Sequence, residues 1–304
     1  MIKSIRPLTG FAARRLPENS CILDIVSSGR FWRNSRLLEI RLILGRNEET
    51  VLISEKEEDE DRLLSETASL LSEISTVITF NGVSFDMPYL HAKYKAYGLE
   101  DPLLKTECRD LLADYRYLKA FFGLPGRHLQ DYFNYYMSTL SDRSSADSPD
   151  FSSADDAVKT LAILSFDALG AFLDGRYELE DAVCENDLLI CTLRLKDFSY
   201  PGAFSVHDEI YHLRLENDLV RLGIHLNEKK QIRVYHTDLK NYAYLPQEGY
   251  AVHKSVAQYV DSSRKEKAVR ANCFHFISYS DNLIRNRKML EEYLQTVLQF
   301  LKSR

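Results

Sequence analysis

The stretch FNGVSFDMPYL, residues 80–90, places an aspartate where a hydrophobic strand changes into a helix. The apolar run Val77–Phe80 predicts the strand, and Asn81-Gly82 is a turn signal. Apolar residues then recur at helical spacing, which predicts a helix packed back onto a sheet. Asp86 would begin that helix at the open edge of the sheet, where a carboxylate can bind a hard divalent ion.

Two further aspartates lie in comparable settings. Asp24 belongs to CILDIVSSG, residues 21–29, which reads as a buried strand followed by a turn. Asp187 ends VCEND, residues 183–187, within a helix that we expect over 177–197. Taken singly, such an aspartate is more often a cap, a turn residue or a solvated side chain than a ligand. The order and spacing of the three favour a shared carboxylate site.

These motifs resemble those of the DnaQ-like (DEDD) 3′-5′ exonuclease superfamily, in particular the YprB-type ribonuclease H-like proteins. The resemblance covers residues 18–200. It implies that Asp24, Asp86 and Asp187 are the catalytic and metal-binding aspartates, with Mg²⁺ or Mn²⁺ as cofactor. It also implies hydrolysis supported by two ions about 3.5–4 Å apart. The implied partner is nucleic acid, as a single strand or a 3′ end.

Two partners of these aspartates in the family pattern are missing. Val26 stands where the family has a glutamate, and Val183 stands where it has a histidine or tyrosine. Loss of a group that orients or deprotonates water costs roughly 10²–10⁴-fold in rate. Glu185 is the one nearby carboxylate, but i and i+2 positions of a helix face different directions. The site therefore resembles a degenerate one.

Two functions remain open at this point. The chain is either a divalent-metal-dependent 3′-5′ exonuclease with weakened catalysis, or a non-catalytic module that kept the groove to bind nucleic acid or a protein. Whether it is an enzyme is not decided by the residues alone.

Four residues are candidates for nucleic-acid contact. Asn81 and Phe85 flank the second aspartate, and Asn81 would hold the terminal nucleotide or a metal-bound water. Arg30 belongs to a cluster of arginines with interleaved aromatics, which suits phosphate contacts and base stacking, although a solvated hairpin is the simpler interpretation. Lys254 belongs to a basic stretch that either contacts phosphates or forms an ordinary solvated helix face.

The remaining pattern predicts the elements that position these residues. We expect an α/β fold with an RNase H-like mixed five-stranded sheet flanked by helices, followed by a smaller α+β C-terminal region. Residues 1–17 would form an N-terminal arm, 18–200 the exonuclease-fold domain and 201–304 a C-terminal domain. The expected strands are 21–26, 36–44, 49–54, 76–80 and one within 106–112. The expected helices are 57–74, 85–97, 111–122, 127–139, 155–173, 177–197, 249–261 and 280–301.

Composition is compatible with this interpretation. The chain has 304 residues, 45% of them hydrophobic, and a net charge of −6. Residues 201–304 carry 16 Lys and Arg against 12 Asp and Glu, so the acidity lies in the first 200 residues. No apolar run reaches membrane-spanning length, and the five cysteines show no metal spacing, so we expect a cytoplasmic protein with reduced thiols. We assign no chemistry to the polar stretch Ser141–Asp156, which reads as a loop.

Overall fold

The computed structural model describes residues 1–8, 16–44, 48–140 and 154–302. The chain divides into two units. The first contains Met1–Lys119 and Leu124–Ser165, and the second contains Ala120–Gly123 and Phe166–Arg304. Residues 166–200, which we expected in the first domain, thus lie in the second unit.

A six-stranded mixed sheet organises the first unit. Its strands are β1 (Ile2–Pro7), β2 (Ser20–Ser27), β3 (Leu37–Leu44), β4 (Glu48–Ile53), β5 (Thr76–Thr79) and β6 (Glu107–Asp110), in the order β1-β4-β3-β2-β5-β6. The pairs from β1 to β2 are antiparallel, whereas β2–β5 and β5–β6 are parallel. This is the expected RNase H-like mixed sheet with a sixth strand, because residues 2–7 pair with β4 instead of forming an arm.

The helices between and after these strands match the expected positions over 57–74, 85–97 and 127–139, whereas the expected helices over 111–122 and 155–173 are each broken in two. In chain order they are α1 (Glu60–Leu70), α2 (Asp86–Tyr97), α3 (Leu111–Asp114), α4 (Leu118–Phe122), α5 (Leu129–Leu140) and α6 (Asp156–Ile163). One face of β2, with Cys21, Leu23 and Ile25, packs in the core with apolar residues of α1 and α2. Because side chains alternate along a strand, Asp24 and Val26 lie on the other face. Helix α6 packs against β2 and β3.

The second unit begins with α7 (Asp167–Leu173) and a five-stranded antiparallel sheet. Its strands are β7 (Tyr177–Glu185), β8 (Leu188–Leu195), β9 (Tyr200–His207), β10 (Tyr211–Asn217) and β11 (Leu219–His225), in the order β7-β8-β11-β10-β9. The expected helix over 177–197 is wrong. Asn186 and Asp187 have φ values of 50° and 65°, which makes them a two-residue hairpin turn between β7 and β8.

The rest of the second unit consists of short strands, two short helices and a longer terminal helix. They are β12 (Gln231–Tyr235), β13 (Tyr242–Leu245), β14 (Tyr250–His253), α8 (Lys254–Ala257), β15 (Glu266–Lys267), β16 (Phe274–Ser278), α9 (Asp281–Arg285) and α10 (Arg287–Lys302). The expected helix over 249–261 is shorter than predicted, because residues 250–253 pair with β13. Within the described residues, no helix is long and apolar enough to cross a membrane.

Candidate active site

The turn between β5 and α2 depends on two residues with unusual backbone requirements. Asn81 has φ 66°, a left-handed conformation that asparagine tolerates better than most residues. A Cβ atom on Gly82 would lie 2.4 Å from the Cβ of the fully buried Thr79, so only glycine fits. The NG dipeptide therefore brings the chain sharply from the strand into α2, as the sequence indicated.

Asp86 is the first residue of α2 and is 6% exposed. Burial raises the pKa of Asp86 to about 7, and the negative charges of Asp110 and Asp156 act in the same direction. The backbone of Ile25 on β2 and of Asp86 itself favours the charged carboxylate and acts to lower its pKa. The sequence thus placed Asp86 correctly at a helix start beside the sheet.

Asp24 lies on β2 and is partly buried. Burial raises its pKa to about 7, and the nearby charges of Asp86 and Asp156 raise it further, while Arg41 opposes them. A carboxyl group in this setting gains from any positive charge brought beside it. The charge of Asp86 thus acts on Asp24.

Two aspartates that we had left without a role complete this environment. Asp155 caps α6, since its side chain accepts a hydrogen bond from the N–H of Val158 at 3.0 Å, and Asp156 is the first residue of the helix. The charge of Asp156 acts on both Asp24 and Asp86. The signal was available, because an aspartate pair directly before the apolar run AVKTLAI is an N-terminal helix signature.

Asp110 is a second residue that the sequence analysis missed. It ends β6, and its two carboxylate oxygens accept hydrogen bonds from the backbone N–H groups of Asn81 at 2.8 Å and Val83 at 3.2 Å. It also caps α3 through the N–H of Leu112 at 3.0 Å. Asp110 therefore holds the turn that precedes Asp86.

The third predicted ligand, Asp187, belongs to the second unit. It lies in the hairpin turn of the second unit, 52% exposed, where it forms an ion pair with Lys230. Val183 lies on β7 and is 37% exposed. The expectation of a late helix carrying Asp187 failed because the alternating pattern of residues 177–195 belongs to a hairpin.

Val26 occupies the same face of β2 as Asp24 and is 37% exposed. Its cross-strand partner on β3 is Glu39, and the partner of Asp24 is Arg41. The position at which the family has a glutamate is thus open to solvent rather than sealed by buried apolar contacts.

The candidates for nucleic-acid contact lie in different settings. Asn81 is exposed at the turn, whereas Phe85 is partly buried against the core beside Tyr89. Arg30 is exposed in the loop after β2. Lys254 is exposed at the start of α8 in the second unit.

The carboxylates of the first unit have the chemistry that Mg²⁺ or Mn²⁺ prefers, since both ions favour oxygen ligands. Asp24, Asp86 and Asp156 fit such an ion by type and by charge. In the part of the chain that the structure describes, however, no three His, Cys, Asp or Glu side chains are already arranged to hold one metal. Asp156 is 57% exposed and paired with Lys159 at 2.9 Å.

Comparison with known proteins agrees with this architecture. Residues 40–138 match the family model of the RNase_H superfamily, a segment that includes Asp86 and Asp110. No curated protein sequence matches the chain.

Three solved structures of exonuclease I resemble the chain distantly. The product-bound structure has a TM-score of 0.35 and 12% identity, over 93% of this chain and 72% of that one. The apo structure has a TM-score of 0.38 and 12% identity, over 93% and 69%. The complex of exonuclease I with SSB-Ct has a TM-score of 0.35 and 11% identity, over 93% and 72%. The family match and the mixed sheet with its helices show an RNase H-like fold in the first unit.

Proposed function

We propose that this chain is a YprB-type, DnaQ-like (DEDD) protein that binds single-stranded nucleic acid at a 3′ end and hydrolyses it with weakened, metal-dependent 3′-5′ exonuclease activity. The observation that carries the proposal is the electrostatic coupling of Asp24, Asp86 and Asp156 on one unit. Carboxyl groups whose charged forms are disfavoured by burial and by neighbouring negative charge gain from a cation bound beside them.

In this proposal Asp24, Asp86 and Asp156 hold Mg²⁺ or Mn²⁺, and Asp156 takes the role that the sequence assigned to Asp187. When bound, such ions supply an activated water and stabilise the leaving oxygen of a phosphodiester. The protein itself contributes by positioning these carboxylates. Asp110 accepts hydrogen bonds from the N–H groups of Asn81 and Val83 and so holds the turn that precedes Asp86, one of the three carboxylates.

The reduced rate follows from the residues beside these carboxylates. Val26 offers no oxygen ligand on the face that holds Asp24. With Asp156 as the late aspartate, the residue four positions earlier is Ser152, which lies outside the described residues and is neither histidine nor tyrosine. Both changes remove groups that would support the attacking water.

A groove of the first unit, which Glu57 and Glu60 also line, is the surface that we assign to a nucleic-acid substrate. It has a volume of about 580 Å³ and is lined by the loop after β2 and by α2, including Trp32, Arg33, Arg36 and Tyr97. Arg30 and Phe31 are exposed on the same loop, and Phe31 is 74% exposed. Aromatic surfaces and guanidinium groups together suit stacked bases and their phosphates. Asn81 would contact the terminal nucleotide, and Lys254 and Phe85 are further candidate contacts.

The cell compartment that we expect is the cytoplasm. All five cysteines are free thiols. Thiols persist in a reducing compartment, whereas secreted proteins tend to pair them.

The second candidate function is a non-catalytic nucleic-acid- or protein-binding module. The observation that favours it is the pairing of Arg41 with Asp155 at 3.2 Å and with Glu39, which already supplies positive charge to the carboxylate face. In this case the groove binds a strand and the carboxylates have no catalytic role.

The deciding experiment measures degradation of 3′- and 5′-labelled single strands in Mg²⁺ or Mn²⁺. We expect slow 3′-5′ degradation by the natural protein and at least about a hundredfold loss in Asp24→Asn and in Asp156→Asn. Asp187→Asn is the matched control and should retain full activity, because Asp187 is an exposed hairpin residue paired with Lys230.

Three other outcomes would change the assigned ligands or contradict the proposed function. Loss of activity in Asp187→Asn but not in Asp156→Asn would restore Asp187 as the late ligand. Strand binding without degradation, at any concentration of metal, would establish the non-catalytic module. Activity that survives Asp24→Asn would contradict the carboxylate site altogether.

A further inference from the structure

Arg41 occupies an unusual position for a positively charged side chain in a carboxylate site. It is the cross-strand partner of Asp24 in the antiparallel pair of β2 and β3. Directly opposite residues of an antiparallel pair project from the same face. The next such pair joins Val26 to Glu39. Arg41 therefore lies on the face that we assign to metal binding, directly across from Asp24.

The contacts of Arg41 join the elements that frame this face. Its Nε donates a hydrogen bond to the Glu39 carboxylate on the same strand. Its Nη1 lies 3.2 Å from Oδ2 of Asp155, the residue that caps α6. The side chain is 21% exposed, so solvent screens these interactions only partly. Arg41 thereby bridges β3 to the helix that carries Asp156.

The charge of Arg41 is permanent under ordinary conditions, because arginine stays protonated in proteins. The positive charge opposes the effect of Asp86, Asp155 and Asp156 on Asp24. A divalent ion placed beside Asp24 would meet repulsion from this cation.

We propose that Arg41 is a built-in counter-ion of the carboxylate face, which competes with the divalent metal and sets its affinity. The inference rests on the proposed function, since the competing ion is the one held by Asp24, Asp86 and Asp156. Arg41 acts here on the metal ligands and not on substrate, so it is a residue that tunes the site. It also restrains Glu39, the carboxylate that faces Val26 across the strands.

The test is a calorimetric titration of the full chain with Mn²⁺ in the absence of nucleic acid. Arg41→Met removes the charge at similar length, and we expect it to bind Mn²⁺ at least about tenfold more tightly than the natural protein. Arg41→Lys retains the charge and should stay close to the natural affinity. Arg6→Met is the matched control, because Arg6 lies 3.6 Å from Asp155 but on β1, two strands away from β3. It should change the affinity less than threefold.

The variant Asp24→Asn/Arg41→Met separates this inference from the proposed function. If the tighter binding disappears in the double variant, the ion is bound at the carboxylate face and both proposals are supported. A second outcome is that Mn²⁺ binding depends on Asp24 but the Mn²⁺ affinity of Arg41→Met is unchanged or weaker. In that case the counter-ion role of Arg41 is wrong, while the metal site remains supported. If no variant shows binding that depends on Asp24, the proposed function is wrong as well.

Loss of the ion pairs could unfold the Met variant, so Arg41→Gln is the second probe. Its amide can still donate a hydrogen bond to Glu39 or Asp155 without the charge. Circular dichroism spectra recorded in chelator show which of the variants Arg41→Met and Arg41→Gln is folded, and that variant is used in the titration. Tightening by Arg41→Gln supports the counter-ion role, and an affinity equal to that of Arg41→Lys overturns it.

Discussion

Asp24 and Asp86 keep their protons to about pH 7 because burial disfavours their charged forms and neighbouring aspartates repel them. A free aspartate has a pKa near 3.9. The folded protein therefore binds protons that the unfolded chain releases between about pH 4 and pH 7. Stability of the metal-free protein should fall as the pH rises through this range.

Replacing either aspartate by asparagine should remove its part of this loss of stability at high pH. We expect Asp24→Asn and Asp86→Asn to raise the free energy of unfolding at pH 8 in chelator by at least about 1 kcal/mol. The gain should disappear below pH 4, where both carboxyl groups are neutral in the natural protein. Urea unfolding at several pH values measures this, with Asp61→Asn on the exposed face of α1 as control. An equal gain at pH 4 would show that charge is not the cause.

Val26 is the position at which one substitution should strengthen the site. Val26→Glu adds a carboxylate to the face of Asp24, at a position that is 37% exposed and so has room for it. We expect at least about tenfold faster degradation of labelled single strands in Mn²⁺. Val183→His should have no effect, since Val183 lies on β7 of the second unit. A gain from Val183→His alone would contradict our placement of the late motif.

The turn before α2 depends on one side chain of a neighbouring strand. Asp110→Ala would leave the N–H groups of Asn81, Val83 and Leu112 without their acceptor. We expect a loss of about 1–3 kcal/mol in the free energy of unfolding. Asp114→Ala is the control, because that exposed carboxylate has a surface ion pair with Arg109 and should cost less than about 1 kcal/mol. Equal effects in urea unfolding would argue against the bracing role.

A buried ion pair joins α1 to α2 behind the groove. Lys93 and Glu60 are 8% and 2% exposed, with Nζ 2.9 Å from the carboxylate, and Lys93 also donates to the carbonyl of Ser35 at 2.8 Å. Lys93→Met should cost about 3 kcal/mol or more, since it leaves the Glu60 charge uncompensated. The double variant Glu60→Gln/Lys93→Met should recover much of that loss. If the double variant is as unstable as the single one, packing rather than charge explains the effect.

For the whole molecule, metal binding should alter one of the two units only. We expect Mn²⁺ to slow amide hydrogen exchange in peptides that cover β2, the start of α2 and α6, which carry Asp24, Asp86 and Asp156. Peptides of the β7–β8 hairpin, which carry Asp187, should exchange at the same rate with and without Mn²⁺. Protection of the hairpin instead would assign the ion to Asp187.

The sequence by itself determined the elements whose formation depends on residues close together in the chain. The strand, turn and helix around Asp86 follow from an apolar run, Asn81-Gly82 and helical spacing, all within about fifteen residues. The RNase H-like sheet followed from the same kind of pattern, except for β1, whose pairing with β4 joins residues nearly fifty positions apart.

The tertiary structure decided which distant carboxylates meet. Asp156 and Asp187 each carry a local signal, one for a helix start and one for a hairpin, but neither signal shows whether the aspartate binds a metal. Packing of α6 on β2 and β3 brings Asp156 to Asp24, while a two-residue turn commits Asp187 to a hairpin. Long-range packing also sets Arg41 opposite Asp24, because the register of two antiparallel strands fixes which side chains share a face.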